Sequence, residues 1–142
     1  MRLSTKGRYG TRAMLDLAIH YGEEPILLKN IAKRQEISER YLENIMTKLV
    51  SGGLARSARG QKGGFSLAKP PNEIRLSEVV QVLEGPIAPV ECVDNPRLCN
   101  RSPDCVTIEI WGRLKKVMLD LLDSITLQDM VEMTRKKVSP LS

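Results

Sequence analysis

The sequence predicts a mainly α-helical chain with one small β-hairpin and a long helix near its C-terminus. Three observations carry that expectation. Apolar residues recur at helical spacing in three successive segments before Gly52. The glycine-rich stretch RGQKGG separates two short β-type runs. A further helical period runs from about Thr107 to Ser124.

In the first segment Tyr9, Ala13, Met14, Leu17, Ala18 and Tyr21 share one face, Arg8, Arg12 and Asp16 form a polar edge, and Gly22 ends the helix. A short second helix is expected over Leu28 to Gln35, with Ile31 and Ala32 inward and Lys29, Lys33 and Arg34 outward. Ser38 is an N-cap for the third helix, with Glu39 suited to its first turn; Leu42, Ile45, Met46 and Leu49 form its buried stripe. Gly52 and Gly53 stop that helix, and LARSA and FSLA read as the strands of a hairpin. Ser77 is expected to cap a helix through Leu83 that Gly85 and Pro86 terminate, followed by a proline-punctuated loop over 86–105. In the long helix, Trp111, Leu114, Met118, Leu121 and Ile125 alternate spacings of three and four, a seam suited to a partner helix. A short helix near Leu127 to Met133 and a basic, frayed tail close the chain.

A chain of 142 residues holds one core and a small appendage. The expected division is a DNA-binding domain over 1–85, a cysteine loop over 86–106 and a dimerisation helix with its tail over 107–142. The net charge of +5 says little alone, but it is unevenly placed. Residues 1–70 carry 13 Lys and Arg against 6 Asp and Glu, whereas residues 71–142 carry 9 against 11. An anionic partner is therefore expected on the first half. The stretch MRLSTKGRYG lacks the apolar run of a secretory signal and no stretch is apolar enough to span a bilayer, so the expected location is cytoplasmic. Neither a nucleophile with its base, a phosphate loop nor an acid dyad is visible, which argues against an enzyme.

Two short helices joined by a tight turn and followed by a hairpin make a winged helix-turn-helix, whose later helix can enter a major groove. Candidate DNA-contacting residues are Ser38, Arg40, Tyr41, Glu43, Asn44 and Lys48 on that helix and Arg59 and Lys62 at the wing tip. Asn44 suits adenine, Arg40 guanine or phosphate, and Glu43 the cytosine amine. An arginine at the wing tip can enter a narrow minor groove. Arg2 and Lys6 suit phosphate. Expected partners are a double-stranded DNA operator and a second copy of the chain, with no membrane and no small-molecule substrate.

MRLSTKGRYG, the YLENIMTKL helix, the RGQKGGFSLA wing and the three-cysteine loop together resemble the Rrf2 family of bacterial transcription regulators over nearly the whole chain. They are most similar to its iron-sulfur cluster assembly regulators, although VLEGPIAPVE also resembles the cysteine-metabolism repressors of that family, which lack those cysteines. The resemblance implies a homodimeric repressor whose DNA binding follows an iron-sulfur cluster, [2Fe-2S] rather than [4Fe-4S], held by Cys92, Cys99 and Cys105 and controlling cluster-assembly genes. Regulators of this kind commonly add a histidine three residues after the last cysteine; here that position is Ile108. Others recruit a ligand from the partner's first helix, where this chain has Arg8 and Arg12.

From the residues themselves, an odd set of three cysteines in a reducing compartment points to metal or thiol chemistry rather than disulfides. Three thiolates and one further donor suffice for an iron-sulfur cluster, and Glu91, Asp94, Asp104 and Glu109 are the nearby carboxylates. Zinc would accept the same donors, although C-x-x-C pairs are absent. The alternative is a cluster-free repressor of sulfur metabolism that answers to a partner protein or to thiol oxidation. The single histidine, His20, lies on the first helix, where packing or exposure explains it.

Overall fold

The computed structural model describes residues 2–61 and 63–138, and Met1, Lys62 and the last four residues lie outside it. Helix α1 (Thr5–Ile19) opens on Ser4, whose hydroxyl accepts from Gly7 N, and α2 spans Leu28–Gln35. The turn into α3 (Glu39–Ser51) passes through Glu36, which takes a left-handed φ of 55°. Ser38 caps α3 as expected, its hydroxyl accepting from Tyr41 N at 3.2 Å. Strands β1 (Ala55–Ala58) and β2 (Gly64–Leu67) pair antiparallel, with Ala55 opposite Leu67 and Ala58 opposite Gly64. Ile26 adds a bridge to Phe65, exchanging two backbone hydrogen bonds of 2.8 Å. Gly64 permits this: at φ 143° any Cβ would run into the Ile26 carbonyl.

Helix α4 (Leu76–Glu84) is capped by Arg75, whose N–H donates to Glu78 at 3.3 Å. Ser77, the expected cap, is instead buried within the first turn, because Ile74 is pulled into the core and sets the helix start earlier. The 86–105 segment is more ordered than a plain loop: it holds α5 (Glu91–Asp94) and two 3-10 turns at Pro96–Leu98 and Ser102–Asp104. Helix α6 (Val106–Asp123) follows, and α7 (Leu127–Val138) returns to α1. Arg75 and Thr126 form a bridge there, with Leu76 N donating to Ile125 O at 2.8 Å and Leu127 N to Ile74 O at 2.9 Å. Helix α7 outruns its expected end at Met133, so Arg135, Lys136 and Lys137 form its last turn, where cations suit the helix dipole.

One core unites these parts. Met14 and Leu17 of α1, Ile31 of α2, Leu42, Ile45, Met46 and Leu49 of α3, Val79 and Leu83 of α4, and Leu127 and Val131 of α7 are all buried in it. Each large apolar side chain so placed contributes about 1.5–3 kcal/mol. Helix α6 and the short α5 are the exceptions: among their described residues none is buried. The expected seam is open in part: Trp111, Leu114 and Leu121 are exposed. Met118 and Ile125 are half-buried against their own chain, while Val106, Ile110, Leu114, Val117 and Leu121 make the open stripe, Val117 being 65% and Leu121 60% exposed. Among the described residues no helix is long and apolar enough to cross a membrane.

Candidate nucleic-acid interface and cysteine segment

The buried stripe of α3 fixes which side faces out. Arg40, Glu43, Asn44, Thr47 and Lys48 are exposed along it, with Arg40, Asn44 and Lys48 in one row at i, i+4 and i+8. The Thr47 hydroxyl donates to the Glu43 carbonyl at 2.9 Å and so serves its own helix. Tyr41 departs from the expected outer face. It is half-buried and meets Tyr9 of α1 edge to face, the ring centroids 5.9 Å apart at 87°, because an aromatic ring gains more from that contact than from water.

A polar network braces this helix pair. Asp16, expected on the polar edge of α1, is only 2% exposed. Its carboxylate accepts from Arg34 Nε at 2.9 Å, Arg34 Nη2 at 2.7 Å and Gln35 Nε2 at 3.0 Å. This charge-assisted fork raises the Arg34 pKa above its ordinary value. Arg12 reaches over from α1 to donate to the Gln35 backbone carbonyl and, at 3.3 Å, to its side-chain oxygen. The same guanidinium lies 5.3 Å from the centroid of the Tyr9 ring that supports Tyr41. The two helices before α3 are thus locked to each other and to its first turn. An Asp at a helical spacing and an Arg 18 residues on give no local sign of this pairing.

At the wing tip Arg59 is exposed, and Gly60 and Gly64 take positive φ while Gly63 does not. Lys62 lies outside the described residues. At the other end of the α3 row Lys6 of α1, first as a competing hydrogen-bond donor and then as a like charge, lowers the Lys48 pKa.

The cysteines are spread over three local structures. Cys92 is half-buried in α5, Cys99 is exposed after the first 3-10 turn, and Cys105 is the half-buried N-cap residue of α6; none forms a disulfide. The Cys105 sulfur lies 3.1 Å from the Thr107 hydroxyl. That hydrogen bond, then the Ile108 N–H, lowers the Cys105 pKa against a smaller opposing effect of burial. Cys99 and Ile108 line one cavity of about 640 Å³ with Pro96, Arg97, Asn100 and Pro103. Lys115 pairs with Asp94 and ties α5 to α6.

Residues 3–133 match the family model described as "Rrf2: Iron-dependent Transcriptional regulator". The chain belongs to the Rrf2 family. It is 40% identical over 134 residues to the HTH-type transcriptional regulator CymR of Bacillus subtilis, spanning 94% of this chain and 92% of that one. The solved structure of CymR, described as the global cysteine regulator of B. subtilis, superposes with a TM-score of 0.78 at 38% identity, covering 94% of this chain and 98% of CymR. The structure of IscR from T. potens is similar to the same degree, with a TM-score of 0.77, 41% identity and coverage of 94% and 88%. These relatives are named transcription regulators rather than enzymes, and the fold is the winged helix of CymR and IscR.

The family description raises the question of iron. Among the described residues no three His, Cys, Asp or Glu side chains gather where they could hold a metal ion. The position that would supply a histidine carries the alkyl side chain of Ile108. His20 sits at the end of α1, its Nδ1–H donating to the Asp16 carbonyl at 2.9 Å. Of the nearby carboxylates Asp94 is engaged by Lys115, while Glu91, Asp104 and Glu109 are exposed. As folded, the segment does not fit a cluster.

Proposed function

We propose that this member of the Rrf2 family is a homodimeric, operator-binding transcription repressor that works in the cytoplasm. The observation that carries the reading is the exposed row of Arg40, Asn44 and Lys48, with Glu43 beside it, on a helix whose other face is wholly buried and whose start is braced by Tyr9. Helix α3 of each protomer enters a major groove, with Asn44 on adenine, Arg40 on guanine and Glu43 on the cytosine amine. Ser38 and Tyr41 shape the helix start at the DNA surface, and Arg59 and Lys62 reach toward the flanking minor groove. The open stripe of α6 joins two copies, so that half-sites lie about 34–36 Å apart or a multiple of that. In this reading residues 1–85 bind DNA, 86–106 form the responsive segment and α6 pairs the protomers.

The signal acts on Cys92, Cys99 and Cys105. Likeness to IscR and three thiols on one segment favour an iron-sulfur cluster, [2Fe-2S] before [4Fe-4S], with cluster-assembly genes as targets. Loading it requires the segment to repack, since the thiols do not gather. A second reading, thiol oxidation or a partner protein controlling sulfur genes, is favoured by that separation, by the lowered pKa of Cys105 and by the equal likeness to CymR. Anaerobic purification separates them. Stoichiometric iron and acid-labile sulfide with visible absorbance, and a DNA affinity that changes on their removal, support the cluster. Colourless protein that binds DNA and loses affinity on mild oxidation supports the second reading.

A further inference from the structure

The short helix that carries Cys92 is fastened at one point. None of the four residues of α5 is buried, so little apolar packing holds it to α6. Two cavities border it, one of about 430 Å³ lined by Pro86, Val90 and Leu98 and one of about 380 Å³ lined by Gly85, Ile87 and Leu119. Asp94 lines both. Among the described residues, the one ion pair or side-chain hydrogen bond between α5 and α6 is that of Asp94 with Lys115. Both side chains are half-buried, at 30% and 28% exposure. Lys115 stands out in the pattern of its own helix. With Ile108, Gly112, Met118, Leu119 and Leu122 it forms the half-buried stripe of α6, and it is the only charge among those six. A lone ammonium turned toward its own chain needs a counter-charge, and Asp94 supplies it.

We infer that the Asp94–Lys115 pair is a latch: closed, it holds Cys92 in a helix of its own against α6, and it must open before Cys92 can join Cys99 and Cys105. The inference rests on the reading of residues 86–106 as the responsive segment, and it gives the reason that the segment as folded does not fit a cluster. The thiols lie in separate local structures because one of them is tied to α6 through the residue two places on. A pair this exposed favours the closed arrangement about threefold to fivefold, so a modest signal reverses it.

The test uses the full-length chain, reduced and freed of metal by a chelator. A short pulse of N-ethylmaleimide labels the thiols, and peptide mass spectrometry gives the rate at Cys92 relative to Cys99, which is exposed and serves as the reference. Wild type is compared with Asp94→Asn, Lys115→Met and the double variant, after circular dichroism has confirmed the fold of each. The latch predicts a Cys92 rate raised about threefold to fivefold in either single variant and no further in the double, since all three lose the same bond. Charge acting directly on the thiol would pull the singles apart, because losing Asp94 favours the thiolate and losing Lys115 disfavours it. Single variants that move in opposite directions, or that leave the ratio at its wild-type value, overturn the latch, as does a double that adds two separate effects. Affinity for a duplex enriched by the wild type from a random pool tests the underlying reading separately. Faster labelling of Cys92 with a changed affinity supports both, whereas faster labelling with wild-type affinity upholds the latch and takes the segment out of the response.

Discussion

Replacing Arg34 by alanine strips the buried Asp16 carboxylate of two of its three side-chain hydrogen bonds, those at 2.9 and 2.7 Å, and leaves the one from Gln35 at 3.0 Å. Hydrogen bonds to charged groups contribute about 1.5–3 kcal/mol each when the pair is dry. This pair is lopsided: the Asp16 side chain is 3% exposed but that of Arg34 is 41% exposed, so water replaces part of what the guanidinium supplied. Discounting the two bonds by roughly half gives a loss of about 1.5–3 kcal/mol. For a chain of this length that is a fall in Tm of about 5–10 °C. Arg34→Lys keeps the charge but cannot make the two-point fork, and is expected to lose about half as much. Urea unfolding followed by circular dichroism, at one fixed protomer concentration because dimerisation adds to apparent stability, measures both. Arg34→Ala within about 0.5 kcal/mol of wild type would refute the reasoning, since that is the range of an ordinary surface ion pair.

Three further expectations follow from single features. Glu36→Gly relieves a left-handed φ of 55° in the turn before α3 and should stabilise the chain by about 0.5–1 kcal/mol in the same unfolding assay, less whatever glycine adds to the unfolded ensemble. Thr107→Val removes the foremost cause of the lowered Cys105 pKa. The midpoint of Cys105 alkylation against pH should move upward, and its rate at neutral pH should fall, by peptide mass spectrometry. Leu121→Asp places a charge on the open stripe of α6. Sedimentation should show monomers at concentrations where wild type dimerises, with weaker DNA binding; an unchanged dimer would place the interface elsewhere.

The first three helices and the wing were legible because their signals are local, except that α1 stops at Ile19 and leaves Tyr21, expected on its apolar face, exposed in the turn beyond it. The bounds of α2 fall at Leu28 and Gln35 as the periodicity indicates, and Ser38 and Gly52 flank α3 as cap and stop. What escaped was set by distance along the chain. Asp16 looks like any polar residue beside Arg8 and Arg12 until α2 brings Arg34 over it. Ser77 resembled a cap, but Ile74 decided where α4 begins. In α6 the apolar positions cover more than one stripe, and periodicity alone does not tell which of them turns toward the chain itself. The cysteines were visible as residues and not as a site, since proline-guided turns keep them in separate local structures.

The central claim is that α3 reads bases through its exposed row. Selection of duplexes from a random pool by wild type, Asn44→Ala and Glu43→Ala tests it directly, because both side chains are exposed and neither substitution disturbs the core. The account predicts a two-fold symmetric sequence for wild type, with each variant losing preference at one position per half-site and about 1–3 kcal/mol of discrimination there. Identical selected sequences and affinities for all three proteins would contradict it.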